Sequence, residues 1–444
     1  MKLALISLGC SKNLVDSENY LGLLVNNRDF SITREINEAD VVVVNTCGFI
    51  EDAKDESIEA ILEVAEHKKE NKDLKLIVTG CLAQRYQEEL LYEIKEIDAV
   101  VGTGQIDSIL DIVDNVLDGK KEINCDNMGF LPSSNTDRIL TTPKHIAYLK
   151  ISEGCNRRCT YCTIPKLRGK LKSRTIEDIV DEAKKLVHSG VKELNILAQE
   201  TTEYGHDIYG RPSLPVLLRE LVNIDELQWI RIYYLYPASF TDELLQLIKN
   251  EPKICNYFDI PIQHISTDIL KAMGRGLSGK ATREILHNIR KEIPDASLRT
   301  SLIVGFPGES EENFQELMNF VEEIEFNHIG VFKYSREENT IAYDLPHQID
   351  EEVKEERWTK LMNLQREISE SKNKELINNS IDVMIDGLSD ESEYLLEGRS
   401  QYQAYDIDGK ILINDGTGLA GEIVQIKIEQ NFDYDFIGQI ISSD

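Results

Sequence analysis

Three observations predict an α/β chain in three parts. Apolar strand runs, each followed by a helical period, fill the first part; a longer alternation of strands and helices fills the middle; short alternating strands close the chain. The architecture expected is an amino-terminal parallel sheet, a partial (β/α) barrel and a small carboxyl-terminal β-barrel. Composition places the boundaries at residues 1–117 for the first domain, 118–143 for a linker, 144–375 for the barrel with a connecting helix, and 376–444 for the last domain. A chain of 444 residues is longer than one core usually holds, which is roughly 250 to 300 residues.

The first part repeats one unit three times. KLALISLGC leads into SKNLVDSENYLGLLV, DVVVVNTC into GFIEDAKDESIEAILEVAEHKK, and KLIVTGC into LAQRYQEELLYEI. Continuous β-branched runs before helical periods predict βαβ units and a parallel sheet covered on both faces. In such sheets the carboxyl ends of the strands share one edge, where ligands gather. Cys10, Cys47 and Cys81 all fall at that edge. Singly each would be a buried thiol; in three equivalent positions they read as ligands of a cluster held by three protein thiolates. The following stretch, DGKKEINCDNMGFLPSSNTDRILTTPKH, has turn formers and no sustained period, so it reads as a linker with Cys125 as a bystander.

From about Ala147, AYLKI, ELNILAQ, IRIYYLY, YFDIPIQ, LRTSLIV and HIGVFKY alternate with helical stretches. These six units predict an open or closed parallel barrel whose working face is the carboxyl-terminal rim. After the first strand comes EGCNRRCTYCTIPKLRGKLKSR, with Cys155, Cys159 and Cys162 spaced CxxxCxxC. Three soft ligands in so tight a loop can wrap one metal centre. A structural zinc site wants four ligands and no fourth Cys or His is near, whereas a cubane iron-sulfur cluster on three thiolates leaves one iron open. A structural zinc loop is the alternative.

Other features at the rim are less specific. In SLIVGFPGES, Gly305 and Gly308 would let backbone approach a ligand, while Val304 and Phe306 could meet a flat ring. Gln199 and Glu200, ending the second strand, are placed to reach a ligand ammonium, although a solvated strand end explains them equally well. Arg157, Arg158, Lys166, Arg168, Lys170, Lys172 and Arg174 form the most basic run, mostly a solvated loop. EEVKEERWTKLMNLQREISESKNKELINN carries Trp358, Leu361, Met362 and Ile368 at helical spacing, an amphipathic connecting helix. SIDVMIDG, EYLLEGR, KILIND, EIVQIKIEQ and DYDFIGQII then predict a five-stranded barrel.

Charge and composition bound the partners. The chain is 41% apolar and 29% charged, with no run of ~18 apolar residues that would suggest a membrane span. MKLALISLGC is too short an apolar run for a secretory segment and leads into polar SKNLVDSE, so a cytoplasmic protein is expected. Eight cysteines there are metal ligands, catalytic thiols or packing groups before they are disulfides. A net charge of −30 argues against general affinity for nucleic acid. From Ile381 onward fourteen acidic residues face three basic ones, a net −11, with Asp406, Asp408, Asp433 and Asp435 expected to be exposed.

The CxxxCxxC loop, with aromatic Tyr161 before its last cysteine, resembles the radical S-adenosylmethionine (radical SAM) superfamily. Along nearly its whole length the chain is similar to the methylthiotransferases, which join an amino-terminal cluster domain, a radical SAM core and a TRAM domain. SLGCSKNLVDSE, NTCGFIEDAKDES, VTGCLAQR, FDIPIQH and VGFPGE resemble the branch that modifies an aspartate of the twelfth small-subunit ribosomal protein. The resemblance implies two 4Fe-4S clusters, one on Cys155, Cys159 and Cys162 that chelates SAM and one on Cys10, Cys47 and Cys81 that carries sulfur. It implies SAM contacts at Tyr161, Gln199, Glu200, Val304, Gly305 and Phe306, an electron-donor protein, and a basic ribosomal protein as substrate. The alternatives are a tRNA adenosine methylthiotransferase on the same scaffold and a non-catalytic iron-sulfur or zinc protein.

Overall fold

In the computed structural model, which describes residues 1–441, the first part is a six-stranded, all-parallel sheet. Its strands are β1 (Lys2–Ser7), β2 (Ser31–Ile32), β3 (Val41–Thr46), β4 (Lys75–Gly80), β5 (Ala99–Val101) and β6 (Glu122–Asn124), ordered β2-β1-β3-β4-β5-β6. The run Val41–Val44 is fully buried because both faces are covered. Val41 and Val43 pack with Tyr20 and Leu24 of α1 (Ser11–Arg28) and with Ile112 of α4 (Ile109–Leu117). Val42 and Val44 pack with Ile61 and Val64 of α2 (Glu51–Glu70) and with Leu82 of α3 (Cys81–Glu93). Each such valine contributes about 1.5 kcal/mol or more by leaving water. The linker assignment needs correction: Glu122–Asn124 adds to β5 as a sixth strand, a three-residue pairing too short to leave a periodic signal. Cys125 beside it is buried in the same core.

All six strands expected in the middle part are present: β7 (Ile146–Lys150), β10 (Glu193–Leu197), β11 (Trp229–Ile232), β12 (Tyr257–Asp259), β13 (Ser297–Val304) and β14 (His328–Lys333). They form two parallel three-stranded sheets in chain order, joined by one bridge from Ile230 to Ile254. Among the described residues β14 and β7 do not pair, so the barrel is an open arc, and α1 packs against β7. A short ribbon of β8 (Ser152–Glu153) and β9 (Lys172–Ser173) closes the cysteine loop, which also holds α5 (Ile164–Leu167). Helices α6 (Ile176–His188), α7 (His206–Tyr209), α8 (Leu214–Leu221), α9 (Asp242–Asn250), α10 (Thr267–Ala272), α11 (Gly279–Glu292) and α12 (Glu311–Ile324) fill the connections. Their starts are written in the sequence: Thr175, Thr241, Ser278 and Ser310 each cap a helix through the side-chain oxygen.

Helix α13 (Glu351–Glu375) lies against β14 and α12, burying Leu361 and donating from Trp358 Nε1 to Val331 O at 2.9 Å. It leads into the closed barrel of β15 (Ser380–Ser389), β16 (Ser392–Ser400), β17 (Ile411–Asp415), β18 (Ile423–Asn431) and β19 (Phe436–Ile440). That barrel docks at the amino ends of the middle strands, opposite the rim. Arg399 pairs with Glu193 at 2.9 Å and with Asp386 at 2.7 Å; Arg231 takes the other side of Glu193 at 3.0 Å. Asp408 is therefore not an exposed acid: its carboxylate is 3% accessible and accepts from Tyr257 Oη at 2.7 Å. Asp435 is half-buried and accepts from Lys410 N at 2.7 Å, whereas Asp406 and Asp433 are exposed as expected. No helix among the described residues is long and apolar enough to cross a membrane.

Candidate functional site

The three amino-terminal thiols meet at the carboxyl edge of the sheet, beside the crevice where strand order reverses between β1 and β3. Gly9 turns the chain at φ +86° into Cys10, which precedes α1. A β-carbon there would lie 2.7 Å from Cys47 Cβ, so only glycine lets these two loops touch. Cys47 leaves β3, and Cys81 is the first residue of α3. Burial, with smaller contributions from Cys81 and Cys10, pushes the Cys47 thiol up to about 12, which places the three within electrostatic reach of one another. Burial raises Cys10 too, but Lys12 and Arg168 outweigh it and leave that thiol below the usual range.

The second trio sits at the rim of the arc after β7. Cys155 N donates to Gly169 O at 3.1 Å, Cys162 N to Cys159 O at 3.1 Å, and Thr160 N to Met273 O at 2.9 Å, so the loop is held by its own far end and by α10. Burial raises Cys155 to about 11 and Cys162 to about 12, with the neighbouring thiols adding to both. Arg275 Nη1 donates to Cys159 Sγ at 3.6 Å while its guanidinium lies 4.2 Å from the Tyr236 ring centroid. Among the described residues no three His, Cys, Asp or Glu side chains are compact enough for a single metal ion. Three thiols apiece, buried or half-buried, fit a polynuclear iron-sulfur cluster.

One buried ion network ties the two trios together. Arg168 Nη1 reaches Asp16 of α1 at 3.0 Å and Glu153 at 3.1 Å, and Nη2 donates to Asn13. Lys150 Nζ donates to Glu153 at 2.8 Å and pairs with Asp16. Burial pushes Glu153 up, but Arg168 and Lys150 hold it down at about 2. Burial raises the Cys81 thiol on balance, but Arg168 opposes it and joins Lys12 in lowering Cys10, so this guanidinium, six residues beyond Cys162, serves the other trio. On the far side, Glu337 takes Arg85 at 2.6 Å and Lys54 at 3.2 Å.

The structure sorts the remaining sequence candidates. Arg168 and Arg174 are buried in ion pairs, while Arg158, Lys166, Lys170 and Lys172 are the solvated part of the basic run. Glu200 is buried; it accepts from Arg157 at 3.0 Å and from Glu203 N at 3.1 Å, and burial raises its carboxyl. Gln199 donates to Glu153, and its Oε1 is buried without a hydrogen-bond partner. The GFPGE turn also has a packing role. Gly305, at φ +73°, is needed because a β-carbon would meet Lys354 Cγ of α13 at 2.3 Å. Val304 and Phe306 are fully buried, and Phe306 packs edge-on to Tyr161 at 6.5 Å and to Tyr334 at 5.3 Å. Sequence reasoning missed Lys12, Asn13, Asp16, Lys150, Glu153 and Arg275. The signal available was only that two of these carboxylates stand within a few residues of a cysteine.

Comparison with known proteins agrees with this geometry. Residues 149–321 match the radical SAM superfamily, residues 2–102 the uncharacterized protein family UPF0004, and residues 377–441 the TRAM domain. The chain is 49% identical over 442 residues to ribosomal protein uS12 methylthiotransferase RimO of Geobacter sulfurreducens, covering 99% of each. It is 50% identical over 441 residues to RimO of Pelobacter propionicus, covering 99% of this chain and 98% of that one, and 49% identical over 446 residues to RimO of Clostridioides difficile, covering 99% of each. Among solved structures it shares its fold with the radical S-adenosylmethionine methyltransferase TsrM of Kitasatospora setae, at TM-score 0.55 and 14% identity over 74% of this chain and 72% of that one. The chain that joins a thiol sheet, a cysteine loop on an open (β/α) arc and a terminal barrel thus matches relatives of one kind over its full length: it belongs to the RimO family of ribosomal protein uS12 methylthiotransferases, within the radical SAM superfamily.

Proposed function

We propose that this chain places a methylthio group on the β-carbon of an aspartate in ribosomal protein uS12, using SAM and two 4Fe-4S clusters. The observation that carries the proposal is the pair of thiol trios joined by Arg168, each of which would supply three thiolates to a cluster. An unactivated C–H bond has no proton for a side-chain base to take. When bound, the clusters and SAM would supply hydrogen-atom abstraction and sulfur delivery. Cys155, Cys159 and Cys162 would hold the SAM-binding cluster; Cys10, Cys47 and Cys81 would hold the other.

The chain's own residues bind, orient and exclude water. Arg275 sets a fixed positive charge beside Cys159, which favours electron density on that thiolate. Tyr161, Phe306 and Tyr334 make an apolar wall behind the rim loop. The orphaned Gln199 Oε1 suits a ligand ammonium, while Glu200 is already engaged by Arg157. A protein substrate suits the charge of the last domain better than tRNA does, because a net −11 repels phosphates and complements a basic ribosomal protein.

The test is anaerobic reconstitution. The chain should take up about eight iron atoms, two cubanes' worth. Replacing Cys155, Cys159 and Cys162 with Ala should halve that and abolish SAM cleavage. With uS12 and tRNA offered separately, only uS12 should gain the methylthio mass. Stoichiometric zinc without iron, or efficient modification of tRNA, overturns the proposal.

A further inference from the structure

The charges between the two trios do not all pair off locally. Arg168 and Lys150 are neutralised by Asp16 and Glu153, two cations against two anions. Arg157 is matched by Glu200 and Glu203. Lys12 is left over. Only 7% of it is accessible, and among the described residues no carboxylate lies within ion-pair distance of its ammonium. Its neighbour is the face of Tyr234, with Nζ 3.4 Å from the ring centroid. A buried ammonium that acts on the Cys10 thiol and rests on an aromatic face, with no carboxylate paired to it, is a ready partner for an anion.

The surroundings point the same way. Lys12 lies in the first turn of α1, an 18-residue helix with no acidic residue in its first turn and no side chain capping its amino end. The helix dipole therefore adds to the positive field of Lys12. Tyr234 stands just beyond β11 at the rim, with φ +59°, a conformation that bulky residues avoid. It is held there by Tyr234 N donating to Asp259 Oδ2 at 3.0 Å and Thr201 N donating to Tyr234 O at 3.1 Å. Strain of this kind marks a side chain kept in a required place. Two residues on, Tyr236 carries Arg275 on its ring beside the other trio. Arg275 has a thiol and a carbonyl to donate to, whereas Lys12 has neither among the described residues.

We infer that Lys12, seated on Tyr234 between the two thiol trios, is the subsite for the side-chain carboxylate of the target aspartate. This rests on the uS12 reading above and adds how the enzyme selects an acidic residue: the carboxylate pairs with Lys12, which turns the adjacent β-carbon toward the space between the trios.

The experiment measures binding, by fluorescence anisotropy on the reconstituted full chain. The probes are a labelled uS12 peptide carrying the target aspartate and the same peptide with that residue as Asn. The wild-type chain should prefer the Asp peptide by about tenfold, the scale of one charge-assisted pair. Lys12→Met with full iron content should bind both peptides alike, and Lys12→Arg, which keeps the charge, should retain a preference. If Lys12→Met loads iron poorly, Lys12→Gln is measured in its place. An Asp preference that survives loss of the charge overturns the inference. So does a shifted potential of the amino-terminal cluster with the preference intact, which would make Lys12 that cluster's counter-ion. Competition by SAM against an unchanged peptide preference would assign Lys12 to the SAM carboxylate and also overturn it. No binding of either peptide by the wild-type chain would instead count against uS12 as substrate.

Discussion

Replacing Arg399 with Met should undock the terminal barrel. Arg399 is 3% accessible; it holds Asp386 through two bonds of 2.7 and 2.9 Å and Glu193 at 2.9 Å, while Arg231 balances the set. Methionine fills similar volume but leaves two buried carboxylates facing one guanidinium and His145. Removing one partner of a buried pair costs about 3 to 5 kcal/mol. The cost should depend on pH. In the wild type burial pushes Glu193 and Asp386 up, but Arg399 outweighs it and both carboxyls lie below the usual range. Their contribution is therefore complete above the unfolded carboxylate range and is lost as pH falls through the lower folded values. In the variant burial acts with one cation fewer, a carboxylate takes up a proton more easily, and the penalty shrinks as pH falls from 8 toward 5. Trp229 reports the event, since it packs with Met384 and Ala404 of the terminal domain. In a Trp358→Phe background its fluorescence follows urea unfolding, and Arg399→Met should lower the first midpoint. Adding Glu193→Gln should cost less than the sum of the single changes, because the two residues are in contact. A loss under about 1 kcal/mol, or one independent of pH, would refute the charge-balance reasoning, since neither fits an uncompensated buried carboxylate.

Three further outcomes are expected. Replacing Cys10, Cys47 and Cys81 with Ala should leave SAM cleavage and end sulfur insertion, measured by nucleoside and peptide mass spectrometry; full methylthiolation would make that trio packing only. Reversing Asp406 and Asp433 to Lys should weaken uS12 binding at low salt and not at high salt, where such fields are screened; Asp408→Asn should instead loosen the barrel, because it removes the partner of Tyr257 and Arg299. Gly305→Ala should destabilise the chain by about 2 kcal/mol or more, from a strained φ and the collision with Lys354; an unchanged midpoint would mean that α13 yields freely.

By itself the sequence determined the parts. The Val41–Val44 run can only be a strand buried on both faces, and a helical period after it forces a parallel crossover, so Cys10, Cys47 and Cys81 had to share an edge. The CxxxCxxC loop is local chemistry, legible because all three donors lie within eight residues. What the chain could not disclose is where polar residues go when domains meet. SKNLVDSEN reads as the wet start of a helix, yet Lys12, Asn13, Asp16, Ser17, Glu18 and Asn19 are all buried. The charged partners of Asn13, Asp16 and Glu18, namely Arg168, Lys150 and Arg138, lie more than a hundred residues away. Ion pairing is set by distance in space, for which sequence separation is no guide, and a buried charge declares itself only through its partner. The same limit hid Asp408 beneath the terminal barrel and Gly305 beneath Lys354. Tertiary structure alone decided that Arg168 of the barrel loop serves the thiols of the first sheet, and that Lys12 rests on Tyr234 with no carboxylate paired to it among the described residues.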